Sequence, residues 1–104
     1  MQPVTLTSEN FDSAISNGTV LVDFWAEWCG PCRQQLAILD RVASQVPAGV
    51  TIGKVNIDEE PKLGARFGIR SIPTLLLFQD GRLTRTINGL TPDTRLLSLL
   101  AAPV

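Results

Sequence analysis

The stretch WAEWCGPCRQQ, residues 25–35, contains both cysteines of this 104-residue chain. Only Gly30 and Pro31 lie between Cys29 and Cys32. A thiol at the amino end of a helix faces unpaired N–H groups and the positive end of the helix dipole, and both favour the thiolate. The helical spacing of the apolar residues after Cys29, with Pro31 in the first turn, predicts a helix that begins near the cysteines. Because thiolate is the attacking species, Cys29 at the exposed start of this helix is the better nucleophile. Cys32, one turn inside, is placed to resolve a mixed disulfide.

Two other uses of the cysteine pair remain open. A structural disulfide is one, but so short a loop contributes only about 2 kcal/mol in the chain-entropy model, against about 4.7 kcal/mol for a loop of about 100 residues. The other is a zinc or iron–sulfur site shared between two chains, because a structural zinc ion needs four ligands. With two cysteines and no histidine, we expect no metal within one chain.

The lack of histidine excludes further chemistries. A Ser-His or Cys-His nucleophile and a His-ligated metal are ruled out. Covalent c-type haem is ruled out as well, because a histidine would have to follow Cys32 directly, and Arg33 stands there.

The composition is that of a globular protein, and we assign residues 1–104 to one domain. Hydrophobic residues make up 44% of the chain and charged residues 18%. The net charge of −1, without a lysine or arginine cluster, argues against nucleic acid as a partner. The start, MQPVTLTSEN, lacks the pattern of a secretory signal, and the apolar runs are too short to cross a bilayer. We therefore expect a cytoplasmic protein that does not bind membranes.

The hydrophobic pattern predicts the element order β-α-β-α-β-α-β-β-α. Runs typical of strands occupy residues 4–6, 20–26, 50–57, 75–79 and 82–87. Asp80-Gly81 joins the last two, a strong signal for a two-residue hairpin. Helical spacing predicts one buried stripe on the second helix, made of Cys32, Leu36, Leu39, Ala43 and Val46. Helix-linked strands should be parallel and the hairpin antiparallel, giving an α/β fold with a mixed sheet and helices on both faces.

Two ionisable residues interrupt apolar strand runs. Asp23 shares a strand face with Leu21 and Trp25, and its apolar neighbours indicate that it is buried. A buried carboxyl near the cysteines could accept a proton from the resolving thiol. Lys54 interrupts the next strand, and two ionisable residues in adjacent central strands would most simply lie close together.

The motif WAEWCGPC, which follows VLVDF, resembles the active-site signature of the thioredoxin family. The segments VNIDEEP and FGIRSIPTLLLF, the Asp-Gly hairpin and the Gly89 loop follow in family order, so the resemblance covers nearly the whole chain. It implies the thioredoxin fold and a protein-disulfide reductase, an electron carrier in cell redox homeostasis without a bound cofactor. A flavoprotein thioredoxin reductase would supply electrons, client proteins with disulfides would receive them, and the protein would be a monomer.

The resemblance also implies a role for each site residue. Cys29 and Cys32 would form the reversible disulfide, Asp23 would act as the buried acid and base, and Lys54 would modulate it. Gly30 and Pro31 match the dipeptide linked to a reducing potential. The client would dock on Trp28, Ile72, Pro73 and Gly89, with Ile72 and Pro73 in the family's cis-proline loop.

Three positions depart from the common family pattern. Ala37 stands where many members have a helix-kinking proline, and Asn88 and Leu90 flank Gly89 with unusual side chains. The last two concern the choice of partner rather than the chemistry.

Two alternative functions are an oxidant or isomerase on the same fold and a binding subunit that does not use its cysteines. The Gly-Pro dipeptide between the cysteines favours the reductant.

Overall fold

Five strands form one mixed sheet in the computed structural model, which describes residues 2–101. The strands are β1 (Val4–Thr5), β2 (Thr19–Trp25), β3 (Val50–Asn56), β4 (Thr74–Gln79) and β5 (Arg82–Asn88). The helices are α1 (Phe11–Ile15), α2 (Gly30–Ala43), α3 (Pro61–Arg66) and α4 (Asp93–Leu100). The predicted order of elements is confirmed. No helix in the described part of the chain has both the length and the apolar character needed to span a membrane.

The strands lie side by side in the order β1-β3-β2-β4-β5. β3 is parallel to both β1 and β2, whereas β4 is antiparallel to β2 and to β5. β2 is therefore the central strand, with backbone partners on both sides. The two-residue β1 and the largely exposed β5 form the edges of the sheet.

The direction of β4 corrects one expectation. Although α3 links β3 to β4, these two strands do not run in the same direction. The register shows why: Trp25 pairs with Asn56 at the end of β3, and Phe24 pairs with Thr74 at the start of β4. The connection through α3 thus begins and ends beside the carboxyl end of β2. A helix between two strands implies a parallel pair only when the chain returns to the opposite end of the sheet before the next strand starts.

Helices cover both faces of the sheet, as expected. α2 and α4 pack on one face, where their core side chains Leu39 and Leu96 join Leu21 and Leu75 of the sheet. α1 and α3 cover the other face. An aromatic cluster with ring centroids 5.3 to 6.0 Å apart lies on this second face and consists of Phe11, Phe24, Phe67 and Phe78. Burial on both faces explains why β2 reads as a continuous apolar run.

The buried stripe of α2 shares three of its five residues with the predicted one. Its buried residues are Cys32, Gln35, Leu39, Val42 and Ala43. Leu36, predicted in the stripe, is only half-buried, and Val46 lies beyond the end of the helix. Hydrophobicity favoured Leu36 over Gln35, but the polar side chain is the one that points inwards.

The hairpin between β4 and β5 forms at the predicted turn. Asp80 and Gly81 both have positive φ, 50° and 86°, as a type I′ turn requires. The Asp80 carboxylate accepts a hydrogen bond of 2.8 Å from Gly18 N, and Asp80 N donates to Gly18 O at 2.9 Å. The turn is thereby fastened to the start of β2.

The same substitution at two glycines should have opposite effects on stability. A Cβ at Gly53 in β3 would lie 2.6 Å from Cδ1 of the buried Leu6. Gly53→Ala should therefore lower the free energy of unfolding by about 1–3 kcal/mol. A Cβ at Gly64 in α3 would meet only Ile57, at 3.7 Å, so Gly64→Ala should raise that free energy by about 1 kcal/mol through helix propensity. Chemical denaturation of both variants measures the contrast, and equal stabilities would contradict the packing of Leu6 on β3.

Candidate active site

A disulfide joins Cys29 and Cys32 at the amino end of α2. Cys29 is the N-cap residue, and its Sγ accepts a hydrogen bond of 3.2 Å from Cys32 N. Cys29 is 6% exposed, whereas Cys32 is fully buried in the first turn. The two cysteines are therefore placed unequally, since Cys29 alone retains exposed surface. The helix start predicted from the motif is confirmed.

The dipeptide between the cysteines forms the first turn of α2. Pro31 is exposed in this turn, where its missing N–H removes no hydrogen bond. A Cβ at Gly30 would meet no atom within 4 Å. The fold itself therefore gives no packing reason for glycine at this position, and the space beside it is open on the same surface as Cys29.

Asp23 lies in the middle of β2 and is fully buried. Its neighbours in the sheet are Lys54 of β3 and Leu75 of β4. Neither of its carboxylate oxygens has a hydrogen-bond partner among residues 2–101. Burial raises the pKa of Asp23 to about 7, and the nearby Lys54 charge opposes this rise only in part. The site thus holds an acid that changes its charge near neutral pH, on the sheet face that α2 covers.

Lys54 is beside Asp23 in the sheet, as the sequence led us to expect, but the two do not form an ion pair within the described structure. Its ammonium lies 5.9 Å from the centroid of the Trp25 ring. The lysine is half-buried. Its charge is therefore close enough to influence the carboxyl without neutralising it by direct contact.

The Pro73 loop contacts Cys29 near the end of β2, and the Gly89 loop contacts the Pro73 loop. The Ile72–Pro73 peptide bond is cis, as the resemblance implied. Cys29 Sγ lies 3.8 Å from Ile72 O. On the other side of this loop, Gly89 N donates a hydrogen bond of 2.8 Å to Pro73 O. Gly89 has φ +92°, a conformation that side chains other than glycine rarely adopt. Ile72 and Gly89 are half-buried, and Pro73 is buried.

Trp28, next to Cys29, is the most exposed large hydrophobic residue of the described chain, at 68%. Its indole Nε1 donates a hydrogen bond of 2.9 Å to the Asp58 carboxylate, which fixes the ring although it is largely in solvent. Leu90, beside Gly89, is 46% exposed. Exposed apolar side chains of this kind are typical of contact surfaces for other proteins.

Sequence reasoning missed Gln35, three residues after Cys32. Gln35 is fully buried, its Nε2 donates to Thr91 O at 3.0 Å, and its Oε1 accepts from Thr91 N at 2.8 Å. The only signal in the sequence was a glutamine at helical spacing from Cys32. Asp58 was missed as well, because nothing local relates it to the distant Trp28.

The three departures from the family pattern lie at different places. Ala37 is exposed, and α2 continues through it without a break. Asn88 pairs with Thr74 across the two strands, and its Oδ1 lies 3.2 Å from Thr74 Oγ1. Leu90 extends the exposed apolar surface near the Pro73 loop.

Known proteins resemble this chain over nearly its whole length. The family model named Thioredoxin matches residues 2–102. A thioredoxin of Chlamydia pneumoniae is 50% identical over 95 residues, covering 91% of this chain and 92% of that protein. A thioredoxin of Rhodospirillum rubrum is 42% identical over 104 residues and covers both chains completely.

A solved structure gives the same answer for the fold. A mutant thioredoxin from Halobacterium salinarum superimposes with a TM-score of 0.86 at 32% identity, over 95% of this chain and 88% of that one. Together with the Cys29–Cys32 disulfide, these matches account for both the fold and the paired thiols. The chain belongs to the thioredoxin family of protein-disulfide reductases.

Proposed function

We propose that this reductase takes electrons from a flavoprotein thioredoxin reductase and passes them to the disulfides of client proteins in the cytoplasm, acting as a monomeric single domain. The observation that carries the proposal is the inequality of the two sulfurs. Cys29 is reachable at the helix N-cap, and Cys32 is buried one turn inside. A structural disulfide has no need of such an arrangement, whereas a two-step exchange requires one sulfur for attack and another for release.

The exchange would proceed in two steps. In the first, the Cys29 thiolate attacks a client disulfide, a new S–S bond forms to one client sulfur, and the other client sulfur leaves as a thiolate. In the second, Cys32 loses its proton and attacks Cys29 Sγ, which restores the Cys29–Cys32 disulfide and releases the remaining client thiolate. Two electrons pass from the pair to the client. The thioredoxin reductase would supply two new electrons for the next cycle, and this protein would need no bound cofactor.

Asp23 would receive the proton that Cys32 loses. It lies on the sheet face that α2 covers, and its pKa of about 7 suits a group that must both accept and release a proton near neutral pH. Lys54 would limit the rise of that pKa, because its positive charge favours the carboxylate.

The client would dock where the loops meet Cys29. The surface proposed for this contact consists of Trp28, Ile72, Pro73 and Gly89. The fixed, exposed indole of Trp28 and the open space beside Gly30 support it, since a client backbone must come close to Cys29. Gly30 and Pro31 would also keep the reduction potential low, as expected for a reductant rather than an oxidant.

A coupled assay tests the function as a whole. The protein is mixed with insulin, a thioredoxin reductase and the nicotinamide cofactor of that reductase, and both cofactor oxidation and insulin precipitation are followed. Both signals should depend on the added protein. Insulin left intact, although dithiothreitol has reduced the pair, would reject the reductase proposal.

A measured reduction potential in the oxidising range would favour the oxidant or isomerase instead. A Cys29→Ser/Cys32→Ser double variant that kept its cellular role would favour the binding subunit.

The two cysteines should behave differently when replaced one at a time. Cys32→Ser should accumulate mixed disulfides with client proteins, because Cys29 still attacks but nothing resolves the product. Cys29→Ser should accumulate few, since Cys32 is fully buried. Non-reducing gels of thiol-blocked extracts measure the difference. Equal trapping by the two variants, or stronger trapping by Cys29→Ser, would contradict the assignment.

Replacing Asp23 should trade function for stability in a pH-dependent way. Because the folded-state pKa of about 7 lies above the unfolded value near 3.9, the folded protein holds this proton longer. The burial of Asp23 therefore has no ionisation cost below about pH 4, a growing cost between pH 4 and 7, and a constant cost above. Asp23→Asn should raise the free energy of unfolding by roughly 2–4 kcal/mol at pH 8 and change it little at pH 4. It should also slow the release of mixed disulfides.

Chemical unfolding at both pH values measures this effect. Asp40→Asn is the matched control, because Asp40 is an exposed acid on α2 and its replacement should change stability by no more than about 0.5 kcal/mol at either pH. A less stable Asp23→Asn variant at pH 8 would show instead that the carboxylate is needed as a partner of Lys54.

A further inference from the structure

Gln35 is a fully buried polar side chain whose hydrogen bonds all go to one distant residue. Its amide donates to the carbonyl of Thr91 and accepts from the N–H of Thr91, which is itself 3% exposed. The orientation of the amide is fixed, because turning it over would place donor against donor and acceptor against acceptor. The helix that carries Cys32 is thus fastened to residue 91 by two hydrogen bonds out of contact with water.

The fastening continues into the proposed docking surface. Thr91 Oγ1 donates a hydrogen bond of 3.0 Å to Gly89 O, and Gly89 N donates one of 2.8 Å to Pro73 O. The preceding carbonyl, Ile72 O, is the one that lies 3.8 Å from Cys29 Sγ. A closed circuit of contacts therefore runs from α2 through residues 89–91 and the Pro73 loop back to the start of α2.

Apart from Gln35 and the hydrogen bond to Pro73 O, the loop of residues 89–91 is open on its outer side. A groove of about 530 Å³ borders it between β5 and α4. Leu90 is 46% exposed, and Gly89 is half-buried with open space around its Cα. The contact with Gln35 is consequently a main constraint on the position of this loop, although Gln35 lies underneath the surface and cannot touch a client.

We infer that Gln35 is a positioning residue for client recognition: by holding Thr91, it sets the place of Gly89 and Leu90 and thereby the affinity for protein disulfides. The inference rests on the proposed function, in which clients dock beside Gly89. Small disulfides need only reach Cys29 and do not depend on the loop. Gln35 therefore affects the two classes of substrate unequally, which a residue of purely structural importance does not.

The chain offers a matched pair of glutamines for the test. Gln35→Met removes both hydrogen bonds with little change in side-chain length, and Gln34→Met makes the same change at an exposed neighbour on α2. For insulin, Gln35→Met should raise KM about tenfold, the factor that corresponds to one hydrogen bond to a well-ordered partner, with kcat nearly unchanged. The rate with bis(2-hydroxyethyl) disulfide should change less than twofold. Gln34→Met should match the unsubstituted protein with both substrates.

A second variant keeps the test independent of any loss of stability. Gln35→Glu can replace both hydrogen bonds when its carboxyl is protonated, whereas the carboxylate repels the carbonyl of Thr91. The ratio of its KM for insulin to that of the unsubstituted protein should therefore fall as pH is lowered from 8 to 6. The ratio of the hydrogen-exchange rate at the Gly89 amide in Gln35→Glu to the rate in the unsubstituted protein should fall over the same pH range, although Gln35 does not touch that amide.

The outcomes separate the inference from the function on which it rests. If the unsubstituted protein reduces neither substrate, the proposed function fails. If it reduces both, and Gln35→Met leaves KM for insulin unchanged or slows both substrates equally, the positioning role of Gln35 is overturned. A KM ratio for Gln35→Glu that does not vary with pH would overturn it as well.

Discussion

The arrangement at the cysteines depends on the central position of β2. This strand has backbone partners on both sides and hydrophobic clusters on both faces, so its path through the molecule is fixed. Only three residues separate its end at Trp25 from Cys29, and Cys29 N donates to the carbonyl of the buried Ala26 at 3.2 Å. The short connection to β2 thus fixes the position of the reactive sulfur. β4 begins next to the same end of β2, which brings the Pro73 loop to the cysteines.

Gln35 and Asp23 are both buried polar residues, but only Gln35 has hydrogen-bond partners for its side chain among the described residues. Gln35 has both ends of its amide satisfied, so it fixes the distance between a helix and a loop. Asp23 has no partner among residues 2–101, so burial changes the energy of its charge instead. Gln35 therefore contributes rigidity but no titratable group, whereas Asp23 provides a titratable group and lowers the stability of the fold. Such unsatisfied groups are common where a protein performs chemistry.

Local patterns in the sequence predicted the elements and the centre of the site. The start of α2 at the cysteines, the Asp80-Gly81 hairpin and the burial of Asp23 followed from helix-capping, turn and strand rules, and the structure confirms them. Contacts between distant segments were not predictable in this way. Gln35 meets Thr91 across 56 positions of sequence, and its polarity argued for the surface until that partner was known. The direction of β4 was misjudged for the same reason, because the sequence shows that a helix intervenes but not where the chain re-enters the sheet.

The edges of the sheet have a consequence for how the protein meets copies of itself. β5 carries Arg82 and Arg85, both exposed, along a strand whose outer side has no neighbour among the described residues. If two copies aligned these edges, their arginines would crowd together on one strand pair, and the repulsion would oppose a continuous intermolecular sheet. At the opposite edge, β1 has only two residues and offers too few backbone groups for such pairing. Short or charged edges of this kind work against pairing of the sheet with further copies of the chain.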